Sequence, residues 1–515
     1  MLPRTPLQRW LAAAAGLFVV FWFWPNFADF ASLSDSSFGS SFTTSGSHGG
    51  ADDLSFVKQA LKDHKIGPDI EYASRTIRYV PDQTERKSIT EIDDNLFPDS
   101  FSNITISKMA SLPAGRVVNV HIKQSPRPDQ IDASEMLFAA STTYARFKDQ
   151  KTSPLKEWKR WLTDGNGHSN GAGVILALFE TSDGDLVAAA ETLESAGINA
   201  TVVHSNPDLN MAGRYVDLVH KLYNHPTRPH RKYLVLMDDD TFFPRMHDFQ
   251  EHLSQYNPEN PFYIGTFTER ADWFLRNRAP FAYGGGGIIL TAPTAEKVVS
   301  LPCLDKEEGK MGGFVWDSDQ GDRLLYNCLS NLTDISLTYM PTLHQADQFG
   351  DPSGVYESGH TMHSIHHFKS WHRFIPDQMH VVSDACGEAC VLQRFQFKDN
   401  YIVTNGYSVA HYPQGIDFDP LQMEHTFSAG GHGEKEPDLE DVTFNMFYGS
   451  LRKNLAHTGK KKGWQLLAAR KEGDGRVKQV YFKSWGDDRW IGPGEKIPAK
   501  EDGPRDSIAV LTWIP

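Results

Sequence analysis

The stretch Tyr233-Leu-Val-Leu-Met237 is apolar and β-forming, and it ends abruptly in Asp238, Asp239 and Asp240. A run of this length suits a buried strand and is too short for a helix. Three adjacent carboxylates repel one another, so burying them needs a cation. Hard oxygen ligands suit Mg²⁺ or Mn²⁺, and either ion can in turn hold a diphosphate. In open α/β sheets ligands lie just beyond the carboxyl ends of strands, which is where these acids fall. A solvated acidic turn is the plain alternative for three bare aspartates. The strand before them and Thr241-Phe-Phe-Pro244 after them disfavour it here.

Further runs of the same kind set the fold class. Strands are expected at 116–122, 173–179, 201–204, 233–237 and 261–264, with helices at 54–62, 132–147, 185–195, 211–223 and 244–256. Strands alternating with helices at these lengths predict an α/β chain with a parallel, doubly wound sheet. The triple acid then closes an inner strand. After residue 376 the pattern changes to short alternating apolar runs and Gly/Pro turns, which predicts a β-rich C-terminal region at 376–515. Its Trp464, Trp485, Trp490 and Trp513 read as core rather than as a glycan platform.

The first residues point to a membrane. Arg4 and Arg9 precede an uncharged run that begins at Trp10 and continues to Phe27. Positive residues before such a run and none directly after it place the N-terminus in the cytoplasm and the body in the lumen. A signal-peptide core competes with this reading, but no clean small-x-small cleavage site follows directly. The expected organisation is a tail at 1–9, a signal anchor at 10–27, a stem and N-terminal extension at 28–110, and a catalytic domain at 111–375. Residues 32–50 are rich in Ser, Gly and Thr, as a flexible stem would be.

Two further features agree with a lumenal body. Asn103, Asn199 and Asn331 each open an Asn-x-Thr glycosylation triplet. The four cysteines are expected to pair as Cys303 with Cys328 and Cys386 with Cys390, although four allow three connectivities; a zinc site at Cys386 and Cys390 is the weaker option. The net charge is −14, from 51 basic and 65 acidic residues, and Lys460-Lys-Lys462 is the one basic run that stands out. Such a balance argues against a nucleic-acid partner, whose phosphates need a basic face.

Downstream of the acids come the other chemistry-bearing segments. Gly284, Gly285, Gly286 and Gly287 precede Ile-Ile-Leu-Thr291. Four glycines in a row cost backbone entropy, and either a ligand pressing on the main chain or a crowded turn would account for them. Asp317, Asp319 and Asp322 precede an expected helix, where carboxylates cap or act as a general base. His344 and Asp347 lie in a polar loop, and His363, His366 and His367 form an imidazole-rich segment suited to a further metal ligand.

Taken in order, YLVLMDDDTFF, FAYGGGGIIL, the DSDQGDRLLYNC region, and LHQADQFGDPSG followed by SIHHF resemble the fringe-like β-1,3-glycosyltransferases of glycosyltransferase family 31, most closely their plant and fungal branch. The resemblance covers roughly residues 117–374. It implies a GT-A fold, Rossmann-like with a mostly parallel sheet, in a type II Golgi membrane protein. The implied activity is inverting, Mn²⁺-dependent (or Mg²⁺-dependent) transfer from a nucleotide sugar, with a UDP-sugar the expected donor, to a glycan or glycoprotein hydroxyl. By position Asp238, Asp240 and His366 match the metal site, with His367 as the fallback for His366 because the doublet leaves the register open. Asp239 and Gly284 to Gly287 match the donor side, and His344 and Asp347 are further site candidates. Asp322 matches the catalytic aspartate ahead of Cys328, but DSDQGD departs from the family's paired acids and keeps Asp319 and Asp317 in contention. A binding protein that kept the fold and lost catalysis, or a retaining transferase on the same sheet, would share these motifs.

Overall fold

The computed structural model describes residues 49–270, 273, 279–372, 374–429, 444–496 and 506–515. The expected tail, the anchor at 10–27 and nearly all of the Ser/Gly-rich stem lie outside the described residues. Among the described residues no helix is long and apolar enough to cross a membrane. The chain forms two compact units, of which the smaller takes its described residues from 49–71 and 102–113. That unit holds a helix, Gly49–Asp63, which buries Leu54, Val57 and Leu61 at helical spacing. Its strand Ser102–Thr105 is tied by Thr105 Oγ1 donating to Asp69 Oδ1 at 2.5 Å.

The larger unit carries the motifs. Its first sheet is built from β1 (Met136–Thr143), β2 (Gly173–Phe179), β3 (Ala200–His204), β4 (Tyr233–Leu236), β5 (Tyr263–Gly265), β6 (Ile288–Thr291) and β7 (Leu337–Tyr339). Interleaved helices are α1 (Asp183–Ser195), α2 (Met211–Tyr223), α3 (Met246–Leu253), α4 (Ala292–Ser300) and α5 (Gly321–Leu332). The strand order is β7-β5-β6-β4-β1-β2-β3. β1 runs parallel to β4 and β2, β2 to β3, and β7 to β5. β6 alone runs antiparallel to its neighbours β4 and β5. The expected triple acid does close an inner strand.

Alternate residues of these strands feed two separate cores. Phe138, Val174, Val235 and Ile289 face one, while Leu137, Ile175, Leu234 and Ile288 face the other. α2, α4 and α5 cover the second face with Val216, Val298, Leu324 and Leu325. The first face meets α3 and an aromatic knot in which Phe138, Trp161 and Phe243 lie 4.9–5.2 Å apart. Truncating one of these rings to alanine would cost about 3–5 kcal/mol.

This two-sided burial corrects the helix expected at 132–147. Met136 to Ala140 are all buried, so no polar position breaks the run and no strand period shows. Met, Leu and Ala also favour helices, so the segment carries a helical signal. Only Tyr144–Lys148 is helical, capped by Thr143. A second correction concerns residues 116–122. The strand there, Val117–Lys123, pairs with Asp69–Gln83 and belongs to the second sheet. That sheet continues through Arg394–Phe397, Tyr401–Thr404, Ser408–His411, Lys462–Lys471, Val477–Lys483 and Ser507–Ile514, the β-rich region expected after 376. Trp464 and Trp513 are buried in its core, which it shares with the first sheet.

Candidate functional site

The antiparallel run of β6 decides where the site forms. Ile288 pairs with Leu236, so the start of β6, not its end, lies beside the carboxyl end of β4. The glycine run thereby meets the three aspartates. Thr241 fastens the two together: its hydroxyl donates to Gly285 O at 2.9 Å and accepts from Asp238 N at 3.2 Å. A two-residue bridge brings the third segment in, with Phe242 N donating to Ile365 O and Ile365 N to Phe242 O, both at 2.8 Å. His366 follows directly.

His366 Nε2 lies 3.2 Å from Asp240 Oδ1 and 3.5 Å from Asp238 Oδ2. Its Nδ1 is 2.9 Å from Gln345 O, and a carbonyl can only accept, so Nδ1 carries a proton in either charge state and Nε2 faces the acids. Burial by itself would lower His366, but the contacts to Asp238 and Asp240 outweigh it and hold the imidazole well above its ordinary range. Burial would likewise raise Asp240, and His366 instead holds it well below the usual carboxylate range. The imidazolium here supplies the positive charge that the acids require. A divalent cation meets the same need, and a neutral His366 with its proton on Nδ1 offers Nε2 as a ligand. Ligand atoms of Asp240, His366 and His367 all lie within 4.8 Å of one another. The residues present therefore fit an oxygen- and imidazole-bound divalent metal.

The three aspartates do not act alike. Asp238 is the most accessible of the three, half-buried with 43% of its side chain accessible. Asp239 turns away from the others: Thr142 Oγ1 donates to it at 2.6 Å, and Arg146 binds both of its oxygens at 2.5 and 2.8 Å. The hydrogen bond to Asp239 in turn holds the Arg146 guanidinium above its usual range.

Each glycine admits a particular neighbour. A Cβ on Gly285 would lie 2.1 Å from His366 Cε1, and one on Gly286 2.6 Å from the Thr266 methyl. Gly287 has φ 91°, a left-handed conformation that glycine alone adopts freely. Gly284 N donates to Asp322 Oδ2 at 3.1 Å, and Arg323 N donates to Asp322 Oδ1 at 2.7 Å. Asp322 stands in the first turn of α5 and is partly buried. Burial pushes it up to about 7, helped by the charges of Asp238 and Asp347 and opposed by the two N–H donors. Asp317 and Asp319 are exposed, and Asp317 accepts from Met311 N at 2.6 Å, closing a turn. Of the three candidates, Asp322 is the one that the structure brings to the glycine run.

The remaining histidines divide. His363 Nε2 contacts Asp248 Oδ2 at 2.9 Å and its Nδ1 contacts Thr342 Oγ1 at 2.8 Å, a buried structural pairing. His367 Nε2 lies 3.2 Å from Asp347 Oδ1, and its ring stacks on Trp371 at 4.0 Å. His344 Nδ1 lies 3.7 Å from Glu269 Oε1, while Asp347 Oδ2 and His344 Nε2 have no partner among the described residues. Sequence reasoning missed Gln345, Arg146, Thr142 and Thr241. Gln345 holds both Gly286 N and His366, yet only its place between two candidates hinted at that.

Both expected cysteine pairs are joined, Cys303 to Cys328 and Cys386 to Cys390. Asn103, Asn199 and Asn331 are all exposed.

Residues 277–386 match the profile of a family described as a protein of unknown function, DUF604. That span holds the glycine run, Asp322 and His366 but not the three aspartates. No curated protein matches the chain. Among solved structures it is similar to the mannosyltransferase PcManGT from Pyrobaculum calidifontis, in complex with GDP-Man and Mn²⁺, at 12% identity and a TM-score of 0.24. That overlap covers 46% of this chain and 63% of the mannosyltransferase. It is also similar to the galactosyltransferase LgtC in complex with donor and acceptor sugar analogs, at 13% identity and a TM-score of 0.27, over 44% of this chain and 79% of that one. For mouse xyloside xylosyltransferase 1 the identity is 9% and the TM-score 0.21, over 39% of this chain and 84% of that one.

Proposed function

We propose that the protein is an inverting, metal-dependent glycosyltransferase that moves a sugar from a nucleotide sugar, a UDP-sugar being the expected donor, to a glycan or glycoprotein hydroxyl. One observation carries this reading. His366, Asp240 and Asp238 converge at the end of β4, and Asp322 is held at the neighbouring glycine, one residue from the ring of His366.

Asp240 and His366 would hold Mn²⁺ or Mg²⁺, with Asp238 or His367 completing the set. Bound there, the cation supplies neutralisation of a diphosphate leaving group. The chain's own residues do the rest. Gln345 and Gly285 fix the orientation of His366, and Arg146 and Thr142 fix the loop through Asp239. Asp322, in its ionised form, takes the proton of the attacking acceptor hydroxyl. A carboxyl pushed to about 7 is well matched to that task near neutral pH. A single displacement needs one base and inverts the anomeric centre. Among the described residues no second carboxylate joins Asp322 at Gly284, since Asp319 is exposed and Asp317 closes a turn with Met311 N.

The two disulfides support a body in the oxidising secretory pathway, and we place it in the Golgi lumen behind the anchor at 10–27. The test is a panel of nucleotide sugars and acceptors with wild type, Asp240→Ala and Asp322→Asn, reading nucleotide release and product anomericity. Wild type is expected to release UDP only with Mn²⁺ or Mg²⁺ and to invert. Asp240→Ala should lose metal-dependent donor binding, whereas Asp322→Asn should bind donor and transfer nothing. Normal turnover by Asp322→Asn would move the base to Asp319, and a retained anomeric configuration would overturn the inverting mechanism.

A further inference from the structure

Tyr215 belongs to none of the motifs above, yet two of them are shaped around it. It stands on α2, where a Cβ on Gly284 would lie 2.4 Å from its Oη and a Cβ on Gly321 would lie 2.3 Å from its own Cβ. Gly284 opens the glycine run and Gly321 directly precedes Asp322, so one ring dictates a small residue in each segment. Phenylalanine would fill the same space. Instead the chain places a hydroxyl there, and among the described residues that buried Oη has no hydrogen-bond partner. An unpaired buried hydroxyl is destabilising, and one that persists beside a reactive group points to a partner gained in another state of the site.

Asp322 lies beside it, because Gly284, against which the Oη packs, donates its N–H to Asp322 Oδ2. Burial, then the charges of Asp238 and Asp322, push the phenol well above its ordinary range, so it stays a proton donor at any working pH. Asp238 already faces His366. Among the described residues Asp322 is held by the main-chain donors Gly284 N and Arg323 N, and each carboxylate oxygen can accept a further bond.

We propose that Tyr215 is a positioning residue for Asp322, its hydroxyl donating to the carboxylate when Asp322 turns toward an acceptor hydroxyl. This rests on the reading of Asp322 as the base. The donor keeps the turned carboxylate ionised and aimed, replacing the bond it gives up at Gly284. The other charged or titratable groups facing Asp322 are Asp238, Asp347 and Tyr263, with Arg323 next to it in the chain. All four remain when the hydroxyl is removed.

Tyr215→Phe keeps the ring between the two glycines and deletes only the donor. Its Tm is expected to match or exceed that of wild type. Its kcat should fall about tenfold with donor KM within twofold, and the acid limb of the pH profile should move up by about one unit. A readout independent of turnover is the ¹³C titration of the Asp322 carboxyl in metal-free protein saturated with an acceptor from the panel above, the state in which the carboxylate is turned, assigned by its loss in Asp322→Asn. Its midpoint should rise in the same way. An unchanged midpoint overturns the proposal, whether kcat is unchanged or falls together with Tm as a structural defect would make it. If Asp322→Asn turns over normally while the midpoint shift persists, the base assignment fails and the positioning contact stands.

Discussion

The main chain of Gly285 lies against the ring of His366 so closely that a methyl group there would sit 2.1 Å from Cε1. Room for that imidazole, rather than backbone curvature, is why this position must be glycine. Gly285→Ala is therefore expected to displace His366 and weaken Mn²⁺ binding at least tenfold, read by calorimetry. Gly473→Ala, where nothing lies within 4 Å, is the control and should bind as wild type does. Equal affinity in both variants would remove His366 from the metal site.

Asp322 trades stability for readiness. Its folded form is raised to about 7 from 3.8, so it contributes stability below about 4 that is lost as pH rises through 7. Asp322→Asn removes a carboxylate that is costly to ionise in place. The variant should be more stable than wild type by ~1–2 kcal/mol at pH 8, after discounting for partial exposure, with no gain at pH 4. Urea denaturation of metal-free protein at the two pH values checks this, and an equal effect at both would contradict it.

Arg146 holds the middle aspartate. Arg146→Ala leaves buried Asp239 with Thr142 as its remaining hydrogen-bond partner among the described residues and should destabilise the protein by about 1–3 kcal/mol. Arg146→Lys should recover only part of that, because a lysine cannot reproduce the two-pronged contact. A full recovery in urea denaturation would mean that charge alone matters here.

The Cys303–Cys328 bond ties the segment after α4 to the helix that carries Asp322. Replacing both cysteines with alanine should cost about 2–4 kcal/mol and lower kcat more than donor affinity, since it loosens the base and not the metal site. Thermal unfolding and single-turnover rates would show whether the two effects appear together.

Much of this was legible because burial on one or two faces leaves a trace in the chain. β2 and β4 are continuous apolar runs and α2 has an apolar face at helical spacing, so each stood out near its true bounds. The same two-sided burial hid β1, whose Met136 to Ala140 lack the polar positions that would have shown a strand. Chain reversal was invisible too. Nothing local marks β6 as antiparallel, and that reversal is what carries the glycine run to the acids. Contacts such as Gln345 with His366 or Tyr215 with Gly284 join segments far apart in sequence, where spacing holds no information.

The most direct test of the central claim is Mn²⁺ affinity with and without UDP, measured by electron paramagnetic resonance on wild type, Asp240→Ala and His366→Ala. Wild type should bind Mn²⁺ at least tenfold more tightly when UDP is present, and both substitutions should abolish that gain. Mn²⁺ binding indifferent to UDP, or a gain that survives in Asp240→Ala, would contradict a cation at the end of β4 that grips a nucleotide diphosphate.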